Sequence, residues 1–260
     1  METLTLVLLF VTGIIAGTFG GFLGVGGGFI MLPALSFLFG YPLAIAIGTT
    51  ITAIIFTAIS GAFGHLRMRN VDLKTAKLIS ISGATGAVAG SLVFFYLCDK
   101  VWLLSLLLGI IFLLTSLRMI YEGIKREIPE IKNGEIQGSK KAKVLVGLFV
   151  GLLVGIFGIG GGFALVPSFV YIFGSAIKLA VGTSLASFLS MAIVSSAFKL
   201  YEGFVDLMAV LFLGLGALFG AQMGVRILSS TPSWLIRLIF GFLFLYIALR
   251  FVLNGIIGAF

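Results

Sequence analysis

Charged residues are scarce in this 260-residue sequence: Asp, Glu, Lys and Arg make up 10% of the chain, and hydrophobic residues make up 60%. Soluble domains carry roughly 25% charged residues, so a water-soluble globular protein is excluded. From Thr3 to Gly64 no residue is charged. A helix through that stretch would be about 93 Å long, enough for three crossings of a ~30 Å hydrocarbon core. We therefore predict an all-α polytopic protein embedded in the lipid bilayer.

Residues that carry enzyme or metal chemistry are also few. Cys98 is the only cysteine, which excludes an internal disulfide and a thiolate metal cluster. The nine acidic residues all lie in predicted loops or at helix ends, so no mid-membrane carboxylate can serve as a proton relay or a cation site. His65 is the only histidine, and we predict that it lies at the membrane interface. These absences argue against an enzyme, a cofactor or a metal site.

Basic residues outnumber acidic ones, 17 to 9, but they lie in short loops and not on an aromatic-rich face. Membrane topology explains that distribution, so nucleic acid is not a predicted partner. The polar stretch 123–143 holds six basic and three acidic residues, which predicts a cytoplasmic linker. No basic residue precedes the first apolar segment, and that segment is too long for a signal peptide, so we expect no cleavage.

The sequence contains an internal repeat. GVGGGF at residues 24–29 returns as GIGGGF at 158–163, an offset of 134 (158 − 24). The same offset relates GTT at 48–50 to GTS at 182–184. We therefore divide the chain into a first membrane repeat (1–122), the linker (123–143) and a second membrane repeat (144–260). The predicted helices are about 4–22, 28–39, 43–65, 73–97 and 101–122, then about 144–157, 162–173, 177–200, 207–228 and 234–253.

Equivalent loops of the two repeats carry opposite charge. Residues 65–77 contain four basic residues and one acidic residue, whereas 199–211 contain one basic and two acidic residues. Opposite bias in equivalent loops is typical of inverted repeats. We predict two inverted repeats of five helical segments each. Eight segments span the membrane fully, and the two short ones after the glycine runs are broken or dip into it.

The glycine runs are the most informative motif. Gly-x-Gly-Gly-Gly is a poor helix former, and in hydrocarbon a non-helical backbone must be buried in protein or line a wet cavity. The helix that begins after each run directs N–H groups and a positive dipole end at the break, which suits an anion. The alternative is that these glycines only permit close packing, as we predict for the glycines at 13, 17, 21, 147, 151 and 155. The candidate anion-binding residues are Gly24, Gly26, Gly27, Gly28, Gly158, Gly160, Gly161 and Gly162.

Four hydroxyl side chains form a second repeated element near the start of a long helix in each repeat: Thr49, Thr50, Thr183 and Ser184. Such hydroxyls can contact an oxyanion, and they can equally bond carbonyl groups of their own helix. Both interpretations stay open from the sequence.

The distinctive motifs are GVGGG at 24–28 with Pro33, GTT at 48–50, HLRMRNVD at 65–72 and the equivalent residues of the second repeat. Together they resemble those of the sulfite exporter TauE/SafE family of membrane permeases. The resemblance covers nearly the whole chain. It implies a bacterial or archaeal inner-membrane carrier of sulfur-containing oxyanions such as sulfite, sulfonates or sulfoacetate. The second repeat differs from the first at residues 199–202, where it has KLYE in place of HLRM. The two repeats therefore cannot interact with the substrate or the coupling ion in the same way.

These observations favour a secondary transporter that works by alternating access around a midplane site made by the two glycine breaks. An anion channel and a non-transporting membrane scaffold subunit are the alternatives. The partners of a transporter would be the lipid bilayer, a small anionic substrate and an unidentified coupling ion, and a homo-oligomer is compatible with the sequence.

Overall fold

The computed structural model describes residues 3–125, 135–227 and 233–258, and within these ranges the chain forms helices and no strand. The predicted all-helical class is confirmed. Two short helices, Gly28–Pro33 and Gly162–Pro167, are each extended by a π-helical turn, Ala34–Leu38 and Ser168–Ile172 respectively. The helices are α1 (Thr3–Leu23), α2 (Gly28–Pro33), α3 (Leu43–Arg67), α4 (Leu73–Leu97), α5 (Val101–Lys125), α6 (Lys140–Phe157), α7 (Gly162–Pro167), α8 (Ile177–Tyr201), α9 (Leu207–Ile227) and α10 (Ser233–Ile257).

Six of these helices are long and apolar enough to cross a membrane: α1, α3, α4, α5, α8 and α9. The apolar stretches Gly28–Leu38 and Gly162–Ile172 are shorter, as expected for helices that follow the glycine runs. Eight full spans and the inverted arrangement stay predictions. Of the linker predicted to be cytoplasmic, residues 126–134 lie outside the described ranges.

The described residues form two compact units. The larger consists of residues 3–93 and 135–227, and the smaller of 94–125 and 233–258. Each unit therefore draws on both sequence repeats. In the smaller unit α5 pairs with α10, and the ring of Phe112 lies 5.7 Å from the ring centres of both Phe244 and Phe251. Every feature of the candidate site belongs to the larger unit.

Small residues bring the helices of the larger unit into backbone contact. On α1, a Cβ atom added to Gly17 would overlap the carbonyl oxygen of Ala217 on α9, and Gly220 of α9 is equally close to the backbone of Ile14. α6 packs against α4 in the same way, because a Cβ atom added to Gly151 would overlap the backbone of Gly83. The predicted packing role of the GxxxG positions is thus confirmed, because only a residue without Cβ permits this approach.

A capping side chain and two prolines determine where some of the helices begin and end. Ser139 caps α6 by accepting the N–H of Ala142, so the helix begins at Lys140, earlier than the predicted residue 144. Pro33 and Pro167 lie at the last positions of α2 and α7, and each is followed by a π-helical turn. Because proline lacks an N–H group, it disturbs the regular hydrogen-bond ladder at this point.

Candidate functional site

As predicted, the helices are interrupted at the glycine runs: residues 24–27 (the first break) join α1 to α2, and residues 158–161 (the second break) join α6 to α7. Gly26 and Gly160, which are equivalent in the repeat, have φ values of 86° and 89°. This left-handed conformation is open to glycine at little cost. The next pair differs, because Gly27 has φ 81° whereas Gly161 has φ −86°. The two breaks are therefore related in sequence but not identical in backbone conformation.

The structure brings the two breaks into direct contact. A Cβ atom on Gly162 would overlap the carbonyl oxygen of Gly24, and one on Gly28 would overlap that of Ile159. Immediately after the breaks, the rings of Phe29 and Phe163 meet edge to face at 5.3 Å between ring centres. The predicted site glycines of both repeats thus lie together.

Each break is covered by the first turns of a long helix from the opposite repeat. Gly24 packs on Val181 of α8, and Gly158 packs on Ile47 of α3. Phe188 of α8 touches both breaks, with its ring against Gly26 and its Cβ against Gly161. Each break is therefore enclosed by residues of both repeats.

The four predicted hydroxyl groups are all fully buried, but they have different partners. Thr183 accepts the backbone N–H of Asp72 at 2.9 Å, and Thr49 accepts that of Asp206 at 3.0 Å. Ser184 donates to the carbonyl oxygen of Gly24 at 2.5 Å. These three hydroxyls bind the backbone of the opposite repeat, an arrangement that neither sequence interpretation includes.

Thr50 differs from the other three. Its hydroxyl is buried and has no hydrogen-bond partner among the residues that the structure describes. Buried hydroxyl groups in proteins almost always have a partner, so an unsatisfied one is a position where a ligand or a water molecule is expected.

The loops held by Thr183 and Thr49 end in aspartates that cap the following helices. Asp72 accepts N–H groups at the start of α4, and Asp206 does so at the start of α9. Asp206 also accepts the hydroxyl of Tyr41 at 2.7 Å. Burial and this carboxylate raise the pKa of Tyr41, so the phenol keeps its proton and remains a donor.

Asp72 is the centre of a buried polar cluster. Its carboxylate accepts the hydroxyl of Thr75 at 2.6 Å and the N–H of Ile136 at 3.0 Å, while the ammonium of Lys143 donates to Thr75 at 2.8 Å. Burial raises the pKa of Asp72, but the bonds from Thr75 and Ile136 and the Lys143 charge outweigh it and hold the pKa below its ordinary value. This cluster fixes residue 136 to the start of α4.

Replacing Asp72 by asparagine should lower stability at neutral pH by about 2 kcal/mol, because bonds to a charged acceptor are lost. A depressed pKa means that the carboxylate stabilises the fold above its ordinary pKa and that this contribution is lost as pH falls through the folded value. Melting temperatures measured from pH 7 down to 3 should therefore decline less steeply below about pH 4 in Asp72→Asn than in the wild type. The exposed Asp99→Asn is the control. Parallel curves for Asp72→Asn and wild type would refute this role.

Besides Lys143, two further basic residues are buried, which the sequence does not predict. His65 is fully buried inside the protein, in the last turn of α3, and its Nε2 lies 3.1 Å from the carbonyl oxygen of Gly21. Its position at the depth of the membrane interface stays a prediction. Lys199 is fully buried too, and its ammonium donates to the carbonyl oxygen of Gly155 at 2.6 Å. His65 and Lys199 are equivalent at the offset of 134, as are Gly21 and Gly155. The repeat marks these two pairs as equivalent, but it does not predict that the basic side chains are buried.

Gln222 links two helices of the larger unit. Gln222 donates to the backbone oxygen of Ser60 at 2.6 Å and so joins α9 to α3. Across the described ranges no group of three His, Cys, Asp or Glu side chains is arranged to hold a metal ion.

Comparison with known proteins identifies the family. "Probable membrane transporter protein YunE" of Bacillus subtilis is 30% identical over 276 residues, which cover 97% of this chain and 99% of that protein. "Probable membrane transporter protein MJ0441" of Methanocaldococcus jannaschii is 28% identical over 238 residues, covering 86% of each. No solved structure matches the chain. Residues 9–251 match the family described as "Sulfite exporter TauE/SafE". The chain therefore belongs to the sulfite exporter TauE/SafE family of membrane proteins.

Proposed function

We propose that this protein is a secondary transporter of small sulfur-containing oxyanions, of the sulfite, sulfonate or sulfoacetate type, in the bacterial or archaeal inner membrane. It works by alternating access between two inverted repeats of five segments, with eight full spans, two short helices and the linker 123–143 in the cytoplasm. The family and the names of its relatives support transport as the activity and sulfite as the type of substrate.

The observation that carries the proposal is the contact between the two glycine breaks inside the larger unit. In hydrocarbon, a non-helical backbone is tolerated where it is enclosed by protein or lines a cavity, and paired breaks of this kind are where transporters bind substrates. α2 and α7 begin at these breaks, and neither has a side chain that caps its first N–H groups. Those groups are donors suited to an oxyanion.

In this proposal Gly24, Gly26, Gly27 and Gly28 with Gly158, Gly160, Gly161 and Gly162 form the backbone of the site, and Thr50 supplies a hydroxyl directly. Thr49, Thr183 and Ser184 contribute mainly by holding the loops and the first break in place, because their oxygen atoms already bind backbone groups. Each of these three hydrogen bonds joins a residue of one repeat to a residue of the other. A movement of one repeat relative to the other would therefore change the geometry of the site.

Thermal unfolding of the purified protein with sulfite, sulfate, thiosulfate, sulfoacetate, taurine and chloride tests this proposal. A ligand that binds only the folded state adds about 2.7 kcal/mol at 100 times its Kd, so one sulfur oxyanion should raise the melting temperature selectively. An equal response to chloride would favour an anion channel. No response to any of the anions would favour a scaffold protein and contradict the proposal.

A further inference from the structure

Two equivalent contacts join α3 and α8, one at each end of this helix pair. We propose that they are the two gates of the transporter, one on each side of the membrane, and that Thr49 and Thr183 are the positioning residues that hold them closed. The inference rests on the transport function proposed above. It adds which contacts must open to let the substrate enter and leave.

The first contact joins the loop after α3 to the start of α8. The N–H group of Asp72 donates to the hydroxyl of Thr183 at 2.9 Å. A Cβ atom added to Gly182 would overlap the carbonyl oxygen of Asn70, so the backbone of the loop lies directly on the backbone of α8. We call this contact, of residues 70–72 with residues 182–183, the Asp72 gate.

The second contact is the same arrangement with the two repeats exchanged. The N–H group of Asp206 donates to the hydroxyl of Thr49 at 3.0 Å. A Cβ atom added to Gly48 would overlap the carbonyl oxygen of Phe204. All four positions follow from those of the first contact by the offset of 134. We call this contact, of residues 204–206 with residues 48–49, the Asp206 gate.

The length of α3 separates the two gates. Gly48 lies near the start of α3, whereas Asn70 lies three residues beyond its end at Arg67. The helix from residue 48 to residue 67 is about 28 Å long, which is close to the ~30 Å thickness of the hydrocarbon core. Because α3 is long and apolar enough to cross a membrane, we place the gates near opposite membrane surfaces.

Each gate lies beside one glycine break. At the Asp72 gate, the next residue of α8, Ser184, donates to the carbonyl oxygen of Gly24 in the first break. At the Asp206 gate, Ile47 of the same helical turn contacts Gly158 in the second break. Separation of either loop from its helix would therefore uncover residues that touch a break. It would do so from one side of the membrane only.

The Asp72 gate is also joined to the linker. The carboxylate of Asp72 accepts the N–H of Ile136, and Lys74 forms an ion pair with Glu135 at 3.0 Å. Since the linker is proposed to lie in the cytoplasm, the Asp72 gate is the cytoplasmic one. The Asp206 gate then faces the outside.

Both gates are closed in the structure, so the site is closed to both sides. In an open gate the backbone N–H of the loop would bind water instead of threonine and would stay satisfied. Replacing the threonine by valine keeps the shape of the side chain but removes the acceptor, which leaves the N–H unsatisfied only in the closed gate. The substitution should therefore favour opening of that gate about tenfold.

A purely structural role for the two threonines makes a different prediction. Loss of either hydrogen bond would then loosen the larger unit as a whole. The melting temperature would fall, and buried residues at both gates would become accessible to the same extent. Accessibility measured separately from each side of the membrane distinguishes the two roles.

The test is the rate at which a membrane-impermeant maleimide labels a single cysteine of the full-length protein carrying Cys98→Ser, in right-side-out and inside-out vesicles. The reporters are Val181→Cys and Ile47→Cys, which are equivalent in the repeat and buried beside the Asp72 gate and the Asp206 gate respectively. Thr183→Val should label the first reporter about tenfold faster from the cytoplasmic side, and Thr49→Val the second about tenfold faster from the outside. The opposite reporter should not label faster in either variant.

Thr57→Val is the matched control, because it makes the same change at a buried threonine of α3 whose hydroxyl has no hydrogen-bond partner among the described residues. Its labelling should match that of the parent protein. Thr183→Ser and Thr49→Ser keep the acceptor and should also label like the parent. If a valine variant does not fold, Gly182→Ala and Gly48→Ala replace it, because the added Cβ atom displaces the same loop from the same helix.

Faster labelling of both reporters by each substitution, or faster labelling from the same side by both, would overturn this inference. Unchanged labelling in all the gate variants would overturn it too. If the wild-type protein nevertheless transports sulfite into liposomes, the proposed function stands. The absence of sulfite and sulfonate transport by the wild type would overturn the proposed function and, with it, this inference.

Discussion

Replacing Gly27 by valine should abolish anion transport while the protein is still inserted in the membrane. Gly27 has φ 81°, and its added Cβ atom would lie 2.5 Å from the carbonyl oxygen of Ala16. A left-handed conformation costs a residue with Cβ about 1–2 kcal/mol, and a β-branched side chain adds to that cost. The backbone of the first break cannot keep its position, so the contact with the second break is lost.

Gly161 provides the matched comparison. It is equivalent to Gly27 in the repeat, but its φ is −86°, which any residue can adopt. The atom nearest to an added Cβ is the Cβ of Phe188 at 2.9 Å, which moves only with the backbone of α8, so alanine here requires a small backbone shift but no left-handed conformation. Gly161→Ala should therefore lower the melting temperature less than Gly27→Ala, which combines a contact at 2.5 Å with left-handed strain. Equal losses in the two alanine variants would show that backbone conformation does not set the effect.

Replacing Gly17 by leucine should prevent the larger unit from folding. The added Cβ atom would overlap the backbone of Ala217, and the rest of the side chain has no space between α1 and α9. Overpacking ordinarily costs about 1–3 kcal/mol, and contact against backbone leaves little room for relaxation, so the loss should reach at least the upper end of that range. Most of the expressed protein should then aggregate on size-exclusion chromatography in detergent.

The control for this variant is Ile15→Leu, on the same helix but at a position that is 47% exposed. Leucine at residue 15 replaces an isomer, so the chromatographic profile and the melting temperature should match those of the wild type. A monodisperse Gly17→Leu protein with wild-type stability would contradict the packing described for α1 and α9.

Much of the fold is predictable from the sequence, because apolar segments and their boundaries are local properties. Charged loops and glycine runs delimit the helices to within a few residues of their positions in the structure. The largest differences are four residues: α10 ends at Ile257 and not at 253, and α6 begins at Lys140 and not at 144. At α6 the charge pattern places Lys140, Lys141 and Lys143 in the linker. A lysine is a good helix former, and the cap at Ser139 decides where the helix begins.

The site is less predictable because its contacts join distant parts of the chain. The glycine breaks and the hydroxyl pairs are visible as repeats, but the partners of Thr49, Thr183 and Ser184 lie in the other repeat and cannot be read from their own helices. The burial of His65 and Lys199 likewise depends on how α3 and α8 pack on the ends of α1 and α6. The repeat offset marks these positions as equivalent without showing that they are buried.

The most direct test of the account is counterflow of radiolabelled sulfite in liposomes that contain the purified protein. The account predicts saturable uptake that is accelerated by unlabelled sulfite inside the vesicles and is absent with Gly27→Val. Uptake that rises in proportion to concentration, with a measurable conductance, would contradict alternating access and indicate a channel. The absence of protein-dependent flux for sulfite and for the organic sulfonates would contradict the transport function itself.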